Sequence, residues 1–378
     1  MANLKVLFVY HHLAHYRSGV FAELQRRPGL ECHFAADIES RDGSIPSIPP
    51  ADIDRFYRLK SLWLGRALWQ RGIFRTVHKQ KFDAVVFLGD CAHLTTWLAA
   101  ATCRVRQIPT LFWTIGWHRP EGGAKKRLRL MFYQISNHLL LYGNVGRRIG
   151  EEIGYPLNKM TVIGNSHSSS GAGIDDLSIE ELRVLLPKNS SVVLTAVARM
   201  SSGKCLDLLL HAAAILKKRG YSPVVLLVGD GPELGGLRSL AKRLDVDLRA
   251  PGQIYSDEAL RLIYACTTVS VIPANAGLSV VQSLKHGRPV ITSDNPYRQG
   301  PEWEAITPGI TGGHYADGDL TGLADEIERW LDRIRTRSAS ISELCSAEYL
   351  TRWSPQNHAG AIAHAIAEAI RRTRAGTC

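Results

Sequence analysis

Thr267-Thr-Val-Ser-Val-Ile-Pro-Ala-Asn-Ala-Gly-Leu-Ser-Val-Val-Gln-Ser-Leu-Lys-His-Gly-Arg-Pro-Val-Ile-Thr-Ser293 is the stretch whose reading decides the fold. Residues 269–272 are a short β-branched run of the kind that forms buried strands. Pro273 to Gly277 breaks that run, and Leu278, Val281, Gln282 and Leu284 then fall at helical spacing. Gly287 closes the helix, and Pro289-Val-Ile-Thr292 begins a second strand. The whole is a strand–loop–helix–strand unit with glycine just before the helix N-terminus. Unpaired N–H groups and a positive dipole make such an end a seat for phosphate. On this stretch alone, a plain βαβ unit without a ligand is an equal reading.

The same alternation extends outward in both directions. Strand patterns at 191–198, 223–229 and 246–248 alternate with helical ones at 206–218, 237–244 and 258–266. In the first half, strands are expected at 4–10, 31–36, 82–89, 109–114, 138–142 and 160–163, with helices at 20–27, 94–104 and 145–153. This pattern predicts two doubly wound, mostly parallel α/β domains. The polar run at 165–173 is the expected linker, so the domains are 1–170 and 171–353, followed by a C-terminal helix in 354–378.

At 378 residues the chain suits two cores, and 45% hydrophobic with 21% charged residues is a globular composition. No window approaches 18 uninterrupted apolar residues, and the N-terminus runs into a strand without a signal-peptide layout. Seven scattered cysteines with no C-x-x-C point to reduced thiols and a cytoplasmic protein, and against a disulfide or zinc framework. The net charge of +11 is one-sided: residues 1–170 hold 23 Lys/Arg against 12 Asp/Glu, and the remainder holds 23 of each. The first domain therefore expects an anionic partner. Nucleic acid is disfavoured, because no RNP, zinc or helix-turn-helix signature accompanies the charge.

Candidate residues on the first domain follow from position. The loop after the first strand, expected to hold His11, His12, His15, Tyr16 and Arg17, lies where parallel sheets bind ligands. Arg17 and Tyr16 are candidates for an anionic group on the acceptor side; the histidines lack the carboxylate or cysteine partners of a metal site. Residues 58–79 read as a basic amphipathic helix, with Trp63 and Trp69 bordering Arg66 and Arg71. Such a helix would lie on an anionic bilayer. The loop 115–129 carries His118 and the basic run that includes Lys125 and Lys126, also facing lipid.

Four elements of the second domain occur in fixed order: Ala198-Arg199-x4-Lys204, Leu227-Val-Gly-Asp-Gly-Pro232, Pro251-Gly252, and Pro273-x3-Gly-Leu278-x8-Gly-x-Pro-Val-Ile291. As a set they resemble the nucleotide-binding domain of the retaining GT-B glycosyltransferases of family 4, the glycosyl transferases group 1. The resemblance covers about 190–350 well and the first domain only in topology. It implies two Rossmann-like domains facing a central cleft and a C-terminal helix that crosses back to the first. It implies an enzyme of bacterial surface-polysaccharide type, with a nucleotide-diphosphate sugar as donor and no cofactor or metal.

In that family the Arg and Lys neutralise the donor diphosphate, which places Arg199 and Lys204 as catalytic. The helix end at Gly277, Leu278 and Ser279 would hold a phosphate, and Gly252 would border the base. Two family glutamates are replaced here by Ala274 and Gln282. Gln282 can still bond ribose hydroxyls; Asn275, or a carboxylate from Glu302 or Glu304, would stand in toward the sugar, and His118 is a displaced candidate for the family's histidine. The expected acceptor is a lipid-linked glycan at the inner face of the cytoplasmic membrane, with the protein peripheral on it. A nucleotide-sugar-binding protein without activity, or an epimerase, is the alternative that those replacements leave open.

Overall fold

The computed structural model describes residues 3–41, 45–168, 175–187 and 192–376. The chain forms two units, Met1–Ser168 together with Pro355–Cys378, and Ser169–Ser354. Most of the glycine- and serine-rich stretch expected to link them, from 169 to 173, lies outside the described residues.

In the first unit, β1 (Leu4–His12), α1 (Ser18–Arg26), β2 (Leu30–Asp37) and β3 (Phe56–Arg58) lead into a two-stranded hairpin, β4 (Lys60–Leu64) and β5 (Ala67–Arg71). There follow α2 (Ile73–Lys79), β6 (Ala84–Leu88), α3 (Leu94–Val105), β7 (Thr110–Thr114), α4 (Gly123–Ile135), β8 (His138–Leu141), α5 (Asn144–Glu152) and β9 (Met160–Val162). Seven strands pair in parallel in the order β3-β2-β1-β6-β7-β8-β9. Side-chain alternation sorts β1 between two cores. Val6, Phe8 and Tyr10 pack on one face with α1, and Leu7 and Val9 on the other with α2 and α3. A strand buried on both faces needs an unbroken apolar run, which 6–10 supplies.

Two readings of this unit are corrected by the structure. Residues 58–79 are not one helix: they form the hairpin β4–β5, and only α2 at the end is helical. Gly65 and Gly72, with φ of +55° and +99°, divide the segment. The supposed apolar face is therefore split by strand alternation. Leu62 pairs across the hairpin with Trp69 on its outer face, and Trp63 with Leu68 on its inner face. His11 and His12 belong to β1, not to the loop that follows it.

The second unit runs α6 (Ile179–Leu185), β10 (Val192–Val197), α7 (Leu206–Lys218), β11 (Pro223–Val228), α8 (Leu234–Leu244), β12 (Asp247–Gly252), α9 (Asp257–Cys266) and β13 (Val269–Val271). It continues through α10 (Leu278–Lys285), β14 (Val290–Ser293), β15 (Gly312–Tyr315) and α11 (Leu320–Glu348). Its six parallel strands take the order β12-β11-β10-β13-β14-β15, the doubly wound arrangement. The opening stretch supplies β13, α10 and β14, with Val269, Val271, Val280, Val281, Leu284, Val290 and Ile291 all fully buried. The chain then returns to the first unit as α12 (Pro355–Arg374), which lays Ala359, Ile362 and Ile366 on the β1–α1 face.

Candidate functional site

Strand order in the second unit reverses between β10 and β13, and ligands of such sheets bind beyond the carboxyl ends of the strands at that point. Two loops meet there, 198–205 after β10 and 273–277 after β13. Backbone bonds tie the first to its neighbours: Ala198 N donates to Val228 O at 2.9 Å, and Met200 N to Asp230 O at 2.8 Å. This approach explains the Gly229-Asp-Gly231 sequence. A Cβ on Gly229 (φ +128°) would sit 2.2 Å from the Ala198 carbonyl, and one on Gly231 would sit 2.3 Å from that of Met200. The loop so fixed carries Arg199 exposed to solvent.

Lys204 turns toward the second loop. Its Nζ donates to the carbonyl of Asn275 at 2.5 Å, and its own carbonyl accepts from Ala274 N at 3.2 Å. Asn275 takes the left-handed conformation (φ +50°) that asparagine tolerates, and its N–H is held by Arg298 O. Ala276 N donates to Gln299 Oε1 at 2.7 Å. Gly277 is then the N-cap of α10 and has no side chain of its own to cap it, and the dipole of the first-turn amides points to the loop.

Glu302 is 3% exposed beside this end: a Cβ on Gly277 would lie 3.9 Å from its Oε2, and one on Gly300 only 2.7 Å. Burial lowers the pKa of Lys204, and the Glu302 carboxylate opposes that shift. The structure thus gathers Lys204, Asn275, Gly277, Leu278, Ser279 and Glu302 around one helix end. Arg298, not foreseen from the sequence, adjoins them: it pairs with Asp317 at 3.0 Å and donates to Cys205 Sγ.

The remaining candidates fall elsewhere in their units. Gln282 is 5% exposed and accepts from the buried Tyr264 hydroxyl at 3.3 Å. Gly252 (φ +85°) accepts from Gly229 N, and a Cβ there would meet Asp176 at 2.3 Å. Asp176 and Asp175 hold this loop through the amides of Gln253, Tyr255 and Ser256, a clamp that no sequence motif announced. In the first unit His118 is exposed on the loop after β7. Lys125 pairs with Glu121 at 2.9 Å and Lys126 is half-buried, both on the first turn of α4. Trp63 is half-buried with its ring 6.0 Å from those of His11 and His93, whereas Arg66, Trp69 and Arg71 are exposed. Arg17 is buried, with Tyr16 against its guanidinium. Among the described residues no cluster of three His, Cys, Asp or Glu could hold a metal ion.

Residues 191–333 match a family model described as Glycosyl transferases group 1. The chain is similar in structure to a glycosyltransferase from Rickettsia africae, with a TM-score of 0.72 and 17% identity over 98% of this chain and all of that one. It is similar to Anabaena HepE, solved with UDP-glucose, with a TM-score of 0.68 and 15% identity over 97% and 100% of the two chains. Sucrose-phosphate synthase of Thermosynechococcus elongatus gives a TM-score of 0.68 at 15% identity, over 98% and 100%. No curated protein matches in sequence.

Proposed function

We propose that this chain, a group 1 glycosyl transferase with the GT-B fold, moves a sugar from a nucleotide-diphosphate donor to a glycan acceptor with retention of configuration. The observation that carries this reading is Lys204, drawn onto the Asn275 carbonyl beside Gly277, the N-cap of α10. A diphosphate would accept hydrogen bonds from that ammonium and from the first amides of the helix, and Arg199 is exposed nearby in sequence to close over it. Negative charge grows on the leaving phosphate as the glycosidic bond breaks, and fixed cations stabilise it there. The acceptor hydroxyl attacks from the side of the leaving group, and its proton passes to the departing phosphate oxygen. Configuration is then retained without a protein nucleophile. In this reading Glu302 meets sugar hydroxyls or holds Lys204 charged.

The acceptor in this reading is lipid-linked, in bacterial polysaccharide or glycolipid synthesis, and the protein is peripheral on the inner face of the cytoplasmic membrane. The hairpin supports this in place of the expected helix. Its outer face presents Leu62, Leu64 and Trp69 at 37, 85 and 40% exposure, among exposed Lys60, Arg66 and Arg71. Apolar tips ringed by cations suit an anionic bilayer. The deciding experiment is a thermal-shift screen of UDP-, GDP- and dTDP-sugars followed by turnover of the stabilising donor. A donor that binds and is turned over by the wild type, and by Lys204→Ala at the same rate, would overturn the reading.

A further inference from the structure

Among the described residues of the first unit, Arg17 is a buried arginine without a counter-ion. Arg17 is 8% exposed at the end of the 3-10 turn His15–Arg17. Four rings surround its guanidinium: Trp113 at 5.1 Å, Tyr142 at 5.3 Å, and Tyr10 and Tyr16 at 5.7 Å. Nη2 donates to the Tyr142 hydroxyl at 2.5 Å, but Nη1 has no acceptor and no carboxylate pairs with the group among the described residues. Aromatic faces attract the cation, yet a desolvated charge ordinarily demands an anion as well.

The same deficit recurs in the side chains around it. Tyr10 Oη, Trp113 Nε1 and His358 Nε2 are each buried with no partner among the described residues. The Trp113 ring lies 5.6 Å from that of Tyr10 and 5.2 Å from that of His358. Nδ1 of His358 bonds Ser166 Oγ at 2.9 Å. Burial, and then the charge of Arg17, hold His358 well below the ordinary imidazole range, so the ring is neutral and its Nε2 is free to carry the proton. Native interiors leave only a few polar groups unpaired per hundred residues, and here four atoms sit on one contiguous group of side chains. Every one of the four can donate. Unpaired donors around a fixed cation are complementary to an oxyanion.

We propose that Arg17, Tyr10, Trp113 and His358 form an oxyanion site, at the carboxyl ends of β1 and β7, that takes a phosphoryl or carboxylate group of the acceptor. The site stands on those four side chains; its assignment to the acceptor rests on the glycosyl transferase reading.

The test uses the full chain, with inorganic phosphate and glucuronate as separate probes and UDP as the control, read by thermal shift and calorimetry. At least one of the two anions raises Tm saturably, and which one does so separates phosphoryl from carboxylate acceptors. Tyr10→Phe removes only the unpaired hydroxyl. It weakens that anion about 10-fold, as expected for loss of a hydrogen bond to a charged group, and leaves the ligand-free Tm equal or higher. Trp113→Phe weakens the anion likewise, and the effect of UDP is unchanged in both variants. Equal anion affinity in wild type, Tyr10→Phe and Trp113→Phe overturns the site, as does the lack of any response to either anion. A Tyr10-dependent anion response with no binding of any UDP-, GDP- or dTDP-sugar keeps the site and removes the transferase reading.

Discussion

Lys204 keeps its ammonium on a backbone carbonyl at 2.5 Å, and a bound diphosphate would offer it full charge instead. Lys204→Ala is expected to lower turnover by about 10²–10³-fold, the usual effect of deleting one donor to a developing oxyanion, with little change in stability. Glu302 acts on the same ammonium by holding it charged against burial. With that carboxylate neutralised in Glu302→Gln, the pKa of Lys204 falls further, so the alkaline limb of the pH–rate profile moves to lower pH; an unmoved limb separates Glu302 from Lys204. Gly229 tests the scaffold. Its positive φ and the 2.2 Å approach to Ala198 O leave no room for a Cβ. Gly229→Ala is expected to cost about 2 kcal/mol or more in chemical denaturation. Lys204 and Gly229 were legible as parts of a motif set that resembles the family's, and Glu302 as one of two carboxylates that could replace a missing family glutamate. The Asp175–Asp176 clamp and the Arg298–Asp317 pair were not, because each joins positions far apart in the chain and only the fold brings them together.

Several elements of the second unit follow the sequence closely: α7 takes the expected bounds, and β10, β11 and α9 shift by a residue or two, whereas β12 runs on to Gly252, and β15 and α11 were not read from the sequence. Apolar runs buried on both faces, punctuated by glycine, leave little choice there. The hairpin shows where period fails. Leu59, Leu62, Trp63, Trp69 and Ile73 fit a helical stripe on paper, but Gly65 heads a two-residue connection between Leu64 and Ala67, a turn signal that outweighs the stripe. The consequence for membrane contact is sharp. On a helix Trp63 and Trp69 would share the lipid face; on the hairpin Trp69 faces out beside Leu62 and Leu64, and Trp63 packs inward near His11. Leu64→Glu is expected to weaken sedimentation with anionic vesicles at least severalfold while leaving Tm unchanged. Trp69→Ala does so more weakly, and added salt lowers the binding of the wild type. Retained binding in Leu64→Glu places the membrane surface elsewhere.

Over the whole molecule, several histidines are folded in as neutral rings. Burial first of all pushes His11 down to about 3, and His138 and His286 to about 4. The unfolded chain protonates such rings near about 6.5. Stability is therefore full above that pH and is lost as the pH falls toward 4, where the folded rings begin to charge. The urea midpoint at pH 5 should lie clearly below that at pH 7.5; equal midpoints would mean that these rings are accessible to protons in the native state. The first unit also depends on α12, whose Ile366 is fully buried against it. Ile366→Ala is expected to destabilise that unit by about 2–4 kcal/mol, seen as an earlier first transition with the second unchanged.

The return of α12 also sets an order of events during synthesis. The sheet of residues 3–168 leaves the ribosome with the face of β1 that α12 covers still bare, and it waits while the whole intervening unit is translated. The second unit, continuous from 169 to 354, can complete its core first. The N-terminal half of this polypeptide is thus the last to mature, and in the interval its apolar face is what a chaperone or a neighbouring nascent chain would find.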